Sequence, residues 1–342
     1  MIDQVYSHTL AGNVTSTNFF YEEATDTGAA TRRLADGSVV FTSRFEEIYP
    51  YGYGANPPYS SDGRWALTAG EAVDAPVMVF EIEGDRRYEI DAVSVFEGAV
   101  GIELDDNSRF MTRPAPGGQR LFFSAIDLST GAAHAVWIES ATGRLVAGPI
   151  ELPSLGPGIV LDDGRVVMGS STVVTILPAD LEGPLVTVSG TEGFSVFDLD
   201  RATGTILIGA TDGRVGLVDV ETATVEFLES ASGALTAGAF SPDGSRVAVL
   251  SVGKGAQIVD VATGRRVGIQ MPLTGTFIYP AGLQWSEDGA GVWVGAPTGP
   301  IRLAANAEAW RAVSCRVVHR ELTSDEWVAL VSDAGPQVPA CS

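Results

Sequence analysis

The sequence predicts an all-β chain closed into a single β-propeller of seven four-stranded blades with a short helical C-terminal tail, and three observations carry that prediction. Turn-forming residues recur at blade-like intervals. β-branched strands lie between them. The 40 Gly and 18 Pro are spread along all 342 residues, with no Pro/Ser-rich block to mark a linker. One closed ring of strands is a permissible single domain at this length. Hydrophobic residues make up 45% of the chain and charged residues 19%, which supplies a core and excludes a disordered polymer.

In chain order, the blades are marked by the turns at their starts. Ala35-Asp36-Gly37 opens the first and Ser61-Asp62-Gly63 the second. Ala115-Pro116-Gly117-Gly118, Leu161-Asp162-Asp163-Gly164 and Arg201-Ala202-Thr203-Gly204 open the next three. The sixth unit, Ala239 to Gly268, is the clearest. Its turn Ser241-Pro242-Asp243-Gly244 uses Pro to preset φ and Gly where φ is positive, and two strands follow before the turn Ala262-Thr263-Gly264. Ser286-Glu287-Asp288-Gly289 opens the last. Asp219 and Asp260 occupy matching positions 41 residues apart, inside the 40 to 45 residue period of propeller blades. The residues before Phe20 are expected to supply the outer strand of the last blade and so close the ring.

The division is expected at residues 1–305 for the propeller and 306–342 for the tail. Thr323 and Glu326 form a T-x-x-E capping box, with Leu322 and Trp327 placed as a hydrophobic staple, so a helix should start at Ser324. Asn306 is placed to cap a second helix over Ala307 to Val313, whose Trp310 is expected to pack on the last blade.

The SPDG turn followed by the VDVATG strand end resembles WD40 repeats of bacterial type. Val218-Asp219, Val259-Asp260 and Ile138-Glu139 stand where that family has Trp-Asp. The Trp and the family's Gly-His dipeptide are missing, so its buried His/Asp/Ser/Trp network cannot form and the repeats are divergent. The segment Ala309-Trp310, Cys315-Arg316, Glu321 to Trp327 and Pro339-Ala340-Cys341 resembles the ending of WD40 regions in actinobacterial multidomain regulators. The resemblance implies a sensory or scaffolding module of a larger transcriptional or signalling protein, in the cytoplasm.

A formal charge of −22 repels nucleic acid and anionic membrane surfaces, and the sequence shows no basic patch. No apolar run approaches the roughly 20 residues of a membrane span, and the first twenty residues lack the features of a secretory leader. His8, His134 and His319 have neither ligand nor triad spacing, no G-x-S-x-G elbow is present, and Gly253-Lys254-Gly255 reads as a hairpin turn. The pairs Glu46-Glu47, Asp105-Asp106 and Asp162-Asp163 read as solvated loops, since calcium needs six or more converging oxygens. No metal, cofactor or catalytic residue is therefore expected.

Two features point outward instead. Tyr49, Tyr51, Tyr53 and Tyr59 lie in one Pro- and Gly-containing segment, a candidate partner-binding loop. Cys315 and Cys341 flank the tail, and a disulfide between them stabilises by about 3 kcal/mol in the chain-entropy model. Two reduced thiols are the alternative that a cytoplasmic location favours, and a bridge favours an extracytoplasmic one. The expected function is a non-catalytic propeller that binds a protein partner or small ligand at one end of its channel. A lactonase-like propeller hydrolase is the rival.

Overall fold

The computed structural model describes residues 60–62, 64–69, 76–81, 84–104, 108–273, 283–294, 301–306, 308–310 and 323–326, together with the backbone of four strands between Leu10 and Arg44. The tyrosine segment 49–59, both cysteines, His8, His319 and Trp327 lie outside them.

Seven antiparallel sheets follow one another along the chain, five with four strands and two with three among the described residues. We call them blades one to seven; their strands span 10–44, 65–90, 109–152, 158–188, 194–228, 235–271 and 283–304. Within every blade the strands are ordered as in the sequence, each paired with the next. From the second blade onward, successive blades meet through their leading strands, as in Phe194–Asp200 against Leu235–Phe240 and the latter against Leu283–Trp285.

Of the residues before Phe20, expected to close the ring, Leu10 and Ala11 are the described ones, and they do not join the last blade. Leu10–Ala11 pairs with Phe20 and Tyr21 in the first blade itself. A short connection closes at lower entropic cost than a reach to the far end of the chain.

The core lies in the seams. Five clusters of buried apolar residues each fill one interface between successive blades, from the second to the seventh. A strand covered on both faces needs apolar residues at every position, so the alternation that marks half-exposed strands disappears. Arg246–Ser251 shows this, with every residue after Arg246 buried. The outer strand Arg266–Met271 faces solvent and buries only Met271 fully.

Helix α1 (Ala92–Val100), unmarked by any long helical period in the sequence, joins the second blade to the third. The Asp91 carboxylate caps it by accepting from Ser94 N at 3.1 Å, and Gly101 ends it in the left-handed region. Ala92, Val93 and Phe96 fill the seam between these blades, where the Phe96 ring lies 5.2 Å from that of Phe123.

Candidate functional site

A propeller presents its loops at the two ends of its channel, and the strand order assigns every connection to an end. Turns between first and second strands, and between third and fourth, share the turn end. Second-to-third turns and the blade-to-blade connections share the opposite, loop end.

At the turn end the repeat is a hydrogen-bond device. Ser241 Oγ donates to Asp243 Oδ1 at 2.7 Å and accepts from Arg246 N at 2.9 Å, closing the SPDG turn. Ser60 and Ser286 do the same for Trp65 N and Gly291 N, at 3.1 and 2.8 Å. A second device ends the third strands, where the Trp-Asp dipeptide was missing. Thr142 and Thr263 hydroxyls donate to Glu139 and Asp260 at 2.6 and 2.7 Å. Hydrogen bonding from Ser241, Thr263 and Ser286 holds the carboxyls of Asp243, Asp260 and Asp288 below their usual range.

The first-to-second turns, and the like turn Ser60–Asp62 that closes onto Trp65 ahead of the described strands of the second blade, also touch one another. Gly117 N donates to Asp62 Oδ2 at 2.9 Å, linking the second blade to the third. Arg201, in the fifth blade, pairs with the Asp162 carboxylate of the fourth and donates through NH1 to the Ser61 carbonyl of the second at 3.0 Å. That reach runs from the fifth blade to the second, past the fourth and the third, so it is a chord across the mouth. Arg165 adds a peripheral link, bonding Asp163 at 2.7 Å and pairing with Glu221 of the fifth blade. The pair Asp162-Asp163 is therefore committed to two arginines.

The loop end is built differently. Several of its connections are short and rich in Gly, Ser and Thr, as in 169–173, 189–193 and 229–234, whereas the one from the second blade to the third carries helix α1. Gly253-Lys254-Gly255 forms the expected hairpin turn, with Lys254 N donating to Ser251 O. Two apolar tips, Leu128 and Val252, are about half exposed at this end. Among the described residues no group of three or more His, Cys, Asp or Glu is arranged to hold a metal.

Of the tail residues singled out in the sequence, Thr323 N donates to Glu326 Oε2 at 2.8 Å and Glu326 N to Thr323 Oγ1 at 3.2 Å, the reciprocal bonds of a capping box. Asn306 Oδ1 accepts from Ala309 N at 2.8 Å. Trp310 is 39% exposed. Arg201 and the buried Asp198 went unrecognised in the sequence. Asp198 leaves a signal, a carboxylate inside the apolar run Phe194–Leu199; the reach of Arg201 leaves none.

No family model matches the chain, and no curated protein matches it by sequence. Solved structures do. A structure of an oligogalacturonate lyase in complex with manganese superposes with a TM-score of 0.60 at 10% identity, covering 89% of this chain and 92% of that one. The WD40 β-propeller domain of Doa1 superposes with a TM-score of 0.51 at 15% identity, covering 87% and 93%. The class these define is the β-propeller, shared by an enzyme and a WD40 domain. At such identities the likeness is one of fold.

Proposed function

We propose that this chain is a non-catalytic binding propeller that takes a protein segment or small ligand at its loop end, as the C-terminal module of a larger cytoplasmic regulator. The Arg201 chord supports the choice of end. It bars the mouth at the turn end, and the carboxylates around it are committed to closing turns or pairing with arginines. Loops on a rigid scaffold are where propellers bind, and Leu128 and Val252 offer apolar contact there. The WD40-like tail around Trp310 and Trp327 supports the place in a regulator.

The test uses the full chain as bait in its own host. A specific partner recovered with the native chain and with Asp163→Asn/Glu221→Gln, but lost with Leu128→Asp/Val252→Asp, is the expected result. Loss with the turn-end pair alone overturns the choice of end. Unsaturated product released from oligogalacturonate, with manganese supplied, overturns the non-catalytic reading.

A further inference from the structure

The first strand of the fifth blade, Phe194–Asp200, is buried along most of its length and carries a register shift between Val196 and Asp198. Asp198 is 5% exposed, and its Oδ2 accepts from Phe240 N of the sixth blade at 2.8 Å. The carboxyl thus spans the seam between these blades, which is otherwise filled by apolar residues including Phe197, Leu207, Phe240 and Val247.

The described elements packed against this strand supply no counter-charge. The strands Thr205–Ala210 and Leu235–Phe240, and on the other side Gly158–Val160, Val166–Met168 and Val174–Leu177, contain no ionisable residue. Arg246, on the next strand, donates to Ala305 O, and its charge acts on Asp260. Arg201 is engaged with Asp162 and Ser61. Asp200 is the charged side chain that acts on Asp198, and it has the same sign.

We propose that Asp198 is a proton-dependent clasp, which holds the fifth and sixth blades together when protonated and loosens their seam when ionised. Burial, with repulsion from Asp200 added, pushes its carboxyl up to about 7 against the bonds from Phe240 and Leu199 amides. A folded-state value raised above the unfolded one contributes stability that is complete below the unfolded value, 3.8, and lost as pH rises through about 7. Between those limits the seam opens with release of one proton. Its opening constant therefore rises by up to about tenfold per pH unit from this group alone.

The experiment measures hydrogen exchange at the Phe240 amide, corrected for intrinsic rate, and the urea midpoint, both between pH 5 and pH 7. The carboxyls of Asp243, Asp260 and Asp288, held low by hydrogen bonds, titrate below this window, and the background slope is common to both chains. The native chain should lose protection and midpoint as pH rises, and Asp198→Asn should lose markedly less. Equal slopes in the two chains overturn the proposal. Should Asp198→Asn not fold, the infrared spectrum of the native chain decides: a protonated buried carboxyl band persisting at pH 6 supports the clasp, and its absence there overturns it.

Discussion

The two seams on either side of the sixth blade are closed on the same peptide by opposite chemistry. From the fifth blade, the Asp198 carboxylate accepts the N–H of Phe240 at 2.8 Å. From the seventh, the indole Nε1 of Trp285 donates to the carbonyl of Ala239 at 3.0 Å, and that carbonyl and that N–H belong to one peptide unit. Trp285 is fully buried in a cluster with Leu250, Ile258 and Val292, and its bond carries no charge. One seam therefore has a large apolar anchor whose strength is independent of pH. The other has an ionisable one. A buried backbone polar group needs a partner, and the choice of partner decides whether an interface answers to protons.

Breaking the neutral seam has the largest expected effect. Trp285→Ala should cost about 3–5 kcal/mol, through lost burial and the cavity left behind. The urea midpoint measures it, and the loss should be the same at pH 5 and pH 7. Next comes Gly209→Ala in the fifth blade, where an added Cβ meets the Phe197 ring at 2.1 Å beside the Asp198 bulge. Overpacking there should cost about 1–3 kcal/mol, and calorimetry at pH 5 and pH 7 tests whether it also weakens the clasp.

The turns of the same two blades offer a finer contrast. Gly264 ends the sixth-blade turn with φ 66°, whereas Ala223 stands at the matching place in the fifth with φ 52°. A side chain is strained in that region, so Ala223→Gly should raise stability by about 0.5 kcal/mol, read as a higher urea midpoint. The smallest effect per residue is an acid response of opposite sign to that of Asp198. Asp243, Asp260 and Asp288 have carboxyls depressed by hydrogen bonds, so their contribution is present above 3.8 and lost as pH falls through the lower folded values. Ser241→Ala should weaken that acid response, measured as the change in midpoint between pH 5 and pH 3.

Much of the fold was legible because turn chemistry is local. Ser241 to Gly244 and Asp260 to Gly264 satisfy their hydrogen bonds within a few residues, so their sequence is their structure. Helix α1 was hidden because nine residues with Val at 93, 95 and 100 lack a long helical period, although Asp91 and Gly101 mark its ends. The partner of Leu10 and Ala11 was not legible because two residues carry no signal that distinguishes a near partner from a distant one.

The sequence by itself determined the number of repeats, the strands, the turns and the two caps of the tail, all of which rest on contacts between residues close in the chain. Only the tertiary structure decided that Arg201 crosses a mouth to Ser61, 140 residues away, and that Asp198 and Trp285 clasp one peptide from two sides. Those pairings depend on where successive blades bring unrelated segments. No periodicity in a single chain encodes such a meeting, because burial and reach arise only once the seams have closed.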